Sequence, residues 1–231
     1  MAVEINRVYQ KVLAIANKEQ RGYITPQEFN LLADKAQMEI YNNYFHTIKM
    51  AQRKPNSQAS YADEVEMTEE KLHPFHVDQD VGTATASLTL PANTFKIIGI
   101  TRGGNKVTQL NKSEISYTEN NPLTKATITR STFVREDSGV VTIHPAPTES
   151  TIFEVSYYKR PVAPNWTYVV VNGKALYNSG ASDAQDFELH GSEEENLVSR
   201  ILMLAGVIIK QPDVYQAATA DTQLTKQQQN S

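Results

Sequence analysis

The residue pattern predicts an α+β protein: a helical bundle from the N- and C-terminal helices, with an antiparallel β-sandwich or barrel inserted between them. Three observations carry this reading. Apolar residues recur at helical spacing over roughly residues 3–51. A long middle stretch, rich in Thr, Val and Ile, alternates apolar and polar residues between turn signals, as pleated half-buried strands do. One strongly apolar helix then runs from about Ser192 to Lys210, before a tail dominated by Gln, Thr and Ala. The expected divisions are 1–52 for the N-terminal helices of the bundle, 53–190 for a β-rich domain with long loops, 191–210 for the C-terminal helix and 211–231 for an extended tail or arm.

In the first helix, Ile5, Val8, Val12, Ile15 and Ala16 form one stripe, and the helix is expected to end near Glu19, before Arg21-Gly22. The second helix starts at a clear signal. Thr25 is a good N-cap, Pro26 fits the first helical position and Glu28 completes a capping box, while Ile24 is placed to staple onto Phe29. This helix carries two apolar stripes. Phe29, Ala33, Ala36, Ile40 and Tyr44 make one; Leu31, Met38, Tyr41, Phe45 and Ile48 make the other. A helix with one buried face needs one stripe. The second stripe therefore packs on another helix of the same chain or faces a neighbouring subunit.

Residues from about Arg53 to Val81 read as an irregular segment whose acidic run, Asp63, Glu64, Glu66, Glu69 and Glu70, is a solvated face. Strand signals follow at Ala84–Leu90, Phe95–Thr101, Lys106–Leu110, Ala126–Val134, Val140–His144 and Ile152–Tyr158, with a helical turn capped by Asn111 and Glu114. Phe153, Val155 and Tyr157 share one strand face. Val169 to Leu176 reads as a hairpin, because Asn172-Gly173 tolerates the positive φ angles of a type I′ turn. About seven short strands with regular turns fit a sandwich or barrel.

The chain has 231 residues, enough for one sizeable core or two small domains, and a net charge of −4. The absence of a basic excess argues against a dedicated nucleic-acid binder, since affinity for DNA rests largely on phosphate neutralisation. Without cysteine there is no disulfide framework and no thiolate chemistry. No apolar run approaches about 20 residues, so no membrane span is expected. Glu4, Arg7 and Lys11 interrupt the N-terminal apolar pattern, which is not that of a signal peptide.

Chemistry-bearing motifs are sparse. Of five histidines, His46, His73, His76, His144 and His190, only His73 and His76 are close in sequence, and zinc needs further ligands. Gly103-Gly104-Asn105-Lys106 lacks the spacing of a phosphate loop and reads as a turn. No nucleophile elbow occurs. The aromatic run Phe153, Tyr157, Tyr158, Trp166 and Tyr168 reads either as core packing or as a stacking platform for sugars. The stretch Arg160 to Trp166, with Pro161 and Pro164, is an extended link. Ser192 caps the last helix, Glu193, Glu194 and Glu195 suit its positive end, and Pro212 stops it. The polar tail is either a loose terminus or a segment that orders on a partner. No catalytic residue, metal ligand or cofactor site is expected, and the chain does not read as an enzyme.

Three segments carry a family resemblance: Arg21–Asn30 leading into Ala36-Gln37; Val140 through His144-Pro145-Ala146-Pro147 to Tyr157–Pro161 and Trp166; and Asp186–Leu189 into Glu195 and Ala205-Gly206-Val207. The chain resembles virion structural proteins of podovirus-like phages, including crAss-like phages. Its layout is similar to head-to-tail adaptor or ring proteins, among them the tail tubular protein A family of T7-like phages. The resemblance implies a homo-oligomeric ring, twelve-fold by analogy, docked below a portal protein in the neck or tail of the virion and assembled in the host cytoplasm. Its partners would be further copies of itself, the portal, other ring or tail proteins and, in passing, genomic DNA. The candidate subunit and portal contacts are Leu31, Met38, Tyr41, Phe45 and Ile48 on the second helix, and Pro212, Val214, Tyr215 and Leu224 in the tail. A receptor- or carbohydrate-binding tail module is the alternative.

Overall fold

A computed structural model describes residues 2–18, 24–53, 59–136 and 139–208, with side chains described for 2–16, 24–50, 65–136 and 139–206. The protein is mixed α/β, with five helices and a large, nearly closed mixed β-sheet among the described residues. Two compact units emerge, one of residues 75–160 and one that gathers residues 1–74 and 161–231.

The first unit holds the seven-stranded sheet: β2 (His76–Thr83), β3 (Ser87–Thr89), β4 (Thr94–Arg102), β5 (Asn105–Leu110), β6 (Thr132–Arg135), β7 (Val140–His144) and β8 (Thr151–Lys159), in the order β2-β8-β4-β5-β6-β7-β3. The two ends of that order, β2 and β3, are consecutive in the chain and joined by the bend at residues 84–86, so the sheet curls back on itself. One side chain in two points inward. Leu88, Ile100, Val107, Phe133, Val141, Ile143, Phe153, Val155 and Tyr157 form the core. The Tyr157 hydroxyl lies 3.1 Å from Gln79 Oε1 and 3.2 Å from Asn93 Oδ1, which satisfies the one polar group of that set. Gly103 and Gly104, at φ 53° and 79°, turn β4 into β5, as expected of a hairpin.

The sheet departs from the antiparallel expectation at one place. β5 and β6 are parallel, with Thr108 beside Thr132 and Leu110 beside Val134. Parallel neighbours need a crossover. It is supplied by α4 (Lys112–Asn120), which starts at the Asn111/Glu114 capping box. The strand read over Ala126–Val134 shrinks to Thr132–Arg135 for the same reason. Residues 127–131 fold into a turn in which Thr127 and Arg130 exchange backbone hydrogen bonds, leaving no partner for a longer strand. Likewise the Ala84–Leu90 strand is confined to Ser87–Thr89, because Thr83 and Thr85 side chains bond to each other and to the Ser87 carbonyl across the bend.

The second unit contains β1 (Ala2–Val3), α1 (Ile5–Lys18), α2 (Pro26–Arg53), α3 (Ala59–Leu72), β9 (Tyr168–Val171), β10 (Lys174–Tyr177), β11 (Phe187–His190) and α5 (Glu194–Ile208). The capping box at α2 forms as read. Thr25 donates to the Glu28 carboxylate from its backbone N–H at 2.9 Å and its hydroxyl at 2.8 Å, and Glu28 N–H returns a bond at 3.3 Å. Those bonds hold the Glu28 carboxyl below its usual range.

Helix α3 corrects the irregular reading of 53–81. Its acidic residues Glu66, Glu69 and Glu70 are exposed, but Thr68 and Leu72 are buried one turn apart, on a face the charge run concealed. A 3-10 turn (His73–Phe75) and β2 complete that stretch. The cap of the last helix is also corrected. The His190 ring accepts from Ser192 N–H at the head of a 3-10 turn, Gly191–Glu193, and α5 begins at Glu194. The hairpin and β11, expected within a 53–190 β-domain, belong to the helical unit instead, where β11 pairs with β1.

Candidate interaction surface

Burial along α2 follows angular position. The first stripe, Phe29, Ala33, Ala36, Ile40 and Tyr44, is buried throughout. At about 100° per residue, Ile48 and Tyr41 lie beside that stripe, Phe45 and Met38 lie farther round and Leu31 lies nearly opposite. Tyr41 is fully buried, Ile48, Phe45 and Met38 are half-buried and Leu31 is 75% exposed. Tyr41 and Ile48 therefore widen the buried face, and Leu31 stands outside it. Tyr41 packs edge-on against Phe45 at 5.1 Å inside the protomer. Leu31 and Met38 are the members turned farthest outward. Pro212, Val214, Tyr215 and Leu224 lie outside the described residues.

A larger apolar surface is the ribbon β9–β10. Its strands pair in register, Val171 with Lys174 and Tyr168 with Tyr177, around Asn172 and Gly173 at φ 51° and 76°. Among the described residues no third strand joins them. Val169, Val170, Val171 and Leu176 are 47%, 67%, 47% and 50% exposed. A two-stranded ribbon is marginally stable by itself in water, so its base must hold it.

That base is Trp166, which is 1% exposed. The Tyr168 and Tyr177 rings stack with the indole at 5.8 and 5.7 Å, and Tyr9 lies against it at 4.1 Å. The indole Nε1–H donates to Asn6 Oδ1 at 3.1 Å. Asn30 clamps the backbone: its Oδ1 accepts from Trp166 N–H at 2.9 Å, and its Nδ2 donates to Asn165 Oδ1 at 2.8 Å and to the Trp166 carbonyl at 3.3 Å. Thr167 and Asn178 close the stem through Thr167 Oγ1–H to the Asn178 carbonyl at 2.6 Å and Asn178 N–H to the Thr167 carbonyl at 2.9 Å. Burial, with the Asp186 and Glu4 carboxylates nearby, raises the Tyr177 phenol above its ordinary range. Trp166 thus belongs to the packed interior, and a sugar-stacking platform on it has no open face.

The unit beneath the ribbon is tied by polar groups. Gln37 is fully buried, donates to the Val162 carbonyl at 2.8 Å and accepts from Glu188 N–H at 3.2 Å. At the start of α5, Lys71 pairs with the buried Glu193 at 2.7 Å, and Arg7 and Lys11 pair with Glu194 at 2.9 and 2.7 Å. Lys11 also bonds Glu195, and these carboxylates raise its pKa. Burial and the Glu193 carboxylate push the Tyr44 phenol far above its ordinary range.

In the sheet unit, the crossover after β5 carries exposed Tyr117, Leu123 and Ile128. Its shape is fixed by polar bonds: Arg130 reaches the carbonyls of Leu123 at 2.8 Å and Lys125 at 3.1 Å, and His144 pairs with Glu119 at 2.8 Å. Among the described residues, no group of three His, Asp or Glu side chains is placed to hold a metal ion.

Sequence reasoning found the hairpin through Asn172-Gly173 but missed that its valines face solvent. The available signal was three consecutive valines on a strand with one neighbour, where a half-buried strand would alternate. Compared with protein-family models and with curated proteins, the chain matches none.

Proposed function

We propose that this chain is a structural virion protein of a tailed bacteriophage, which forms a homo-oligomeric ring at the head-to-tail interface with a channel for DNA. The observation that supports this best is the ribbon β9–β10: a stiffly anchored apolar projection that no other strand covers among the described residues. Exposed apolar surface of this kind is the mark of an assembly contact. In this reading the helices from both ends of the described chain act as one bundle that carries the ribbon, and the sheet unit is a second module. The protein is not an enzyme. A net charge of −4 suits a channel along which DNA slides without being held.

Negative-stain micrographs of the purified chain, alone and mixed with the cognate portal protein, test this reading. Rings are expected in at least one of the two samples. A chain that stays monomeric in both, by light scattering as well as by microscopy, overturns it.

A further inference from the structure

Two of the edge strands among the described residues, β2 and β9, are built differently. β2 ends the order of the seven-stranded sheet, and its exposed residues include Asp78, Gln79 and Asp80. Charges on an edge discourage a further strand. The edge of β9, Tyr168-Val169-Val170-Val171, carries no charge, and the ribbon's one charged residue is Lys174 beside the turn. An unprotected apolar edge on a rigid base is shaped to accept a strand.

A candidate donor follows α5 in the sequence. α5 runs back along α2, with Glu193 beside Tyr44 and Arg200 paired to Glu39 at 3.6 Å. Ile208 is eight residues beyond Arg200, about 12 Å at about 1.5 Å per residue, which brings it level with the first two turns of α2. Asn30 in that stretch clamps the base of the ribbon. At least 23 residues follow Ile208, enough to span about 75 Å when extended. Within them, Val214-Tyr215-Gln216-Ala217-Ala218-Thr219-Ala220 is uncharged, free of Gly and Pro, and bounded by Asp213 and Asp221. Small side chains suit a valine-lined edge, and the flanking aspartates complement Lys174.

We propose that residues 214–220 of one copy add as a third strand to the β9 edge of a neighbouring copy. This rests on the ring reading. Each copy then carries one donor and one acceptor on the same unit, and such a pair makes the head-to-tail contact that a closed ring requires. Main-chain hydrogen bonds supply the attraction, and the covered valines add apolar burial.

The chain has no cysteine, so single thiols report the contact directly. Val170→Cys in one full-length chain is mixed with Ala217→Cys, Ala218→Cys or Thr219→Cys in another chain of different tag mass, then mildly oxidised. Disulfides need Cα atoms within about 7 Å. A mixed dimer on non-reducing gels is expected for at least one tail position, at least about tenfold above the yield with Leu123→Cys, at a more exposed position, as acceptor. Oligomers visible on micrographs without that link overturn the strand addition and leave the ring reading standing. A link that forms only within a chain carrying both cysteines, or a dominant Val170–Val170 dimer, overturns it as well. A chain that stays monomeric and unlinked both alone and with the portal present ends both proposals.

Discussion

The seven-stranded sheet and the ribbon β9–β10 are made of the same residue types, and they use them in opposite ways. In the sheet, Val141, Val155 and Ile143 are buried and every second side chain faces the core. In the ribbon, three consecutive valines stand in solvent. The sheet nearly closes, and its end strand β2 displays aspartates; the ribbon has no further strand on either edge among the described residues and displays no aspartate. The sheet is stabilised by its own interior, whereas the ribbon borrows stability from one buried tryptophan and the asparagines around it. β-propensity therefore reports a pleated surface and leaves open what covers it. A strand pattern that finds no cover among the described residues is a candidate contact surface.

The widest gap between the two regions should appear on truncating a core ring. Phe153→Ala removes a fully buried side chain, and such changes cost about 3–5 kcal/mol. Denaturant unfolding of the full chain should show this loss, while Val170→Ala should shift stability by under about 0.5 kcal/mol. Comparable losses would mean that the ribbon is as integral to the fold as the sheet.

A smaller loss tests the unit that carries the ribbon. Gln37→Ala would leave the Glu188 N–H and the Val162 carbonyl without their partner. A buried group left unsatisfied costs about 1–3 kcal/mol. Urea unfolding followed by Trp166 fluorescence reads this site, because the only tryptophan of the chain lies in the same unit. An unchanged midpoint would show that water replaces the amide and that the unit is more open than its burial implies.

How much of this was legible beforehand varies with the physics involved. Local signals survived: the Thr25/Glu28 box, the Asn172-Gly173 turn and the alternation of Phe153, Val155 and Tyr157 depend on a few adjacent residues. Helix α3 was hidden because solvated charges outnumber the buried Thr68 and Leu72. The parallel β5–β6 pair was hidden because pairing direction depends on where a crossover lands, which no window of sequence encodes. On α2 the first stripe, Phe29 to Tyr44, is buried as read, and of the second stripe Tyr41 is buried while Leu31 is exposed. The ribbon was located correctly, but its exposure depends on the absence of a third strand, a property of the whole topology.

The pH dependence separates the two units again. Tyr44 is buried beside Glu193, so its phenol stays protonated in the fold where a free tyrosine, with a pKa of about 10, would ionise. The folded pKa is raised. Its stabilising contribution is then complete below about pH 10 and is lost as pH rises further. Melting temperature should fall between about pH 9 and about pH 11, and Tyr44→Phe should fall less over the same interval, since that ionisation is removed. Equal declines in both proteins would place the alkaline sensitivity elsewhere.

The smallest effect on stability should accompany the largest effect on assembly. Val170→Asp places a charge on the exposed edge of the ribbon, the device that β2 already uses with Asp78 and Asp80. The side chain is two-thirds exposed, so thermal unfolding should move by about 0.5 kcal/mol or less. Oligomers seen with the parent chain, by light scattering or microscopy, should disappear, because a buried unpaired carboxylate at a strand interface is costly. Leu123→Asp, on the exposed crossover of the sheet unit, is the control for added charge. If both variants assemble normally, the ribbon is surface decoration. If only Val170→Asp fails, the unprotected edge is the contact, and the contrast between the guarded sheet and the unguarded ribbon is functional.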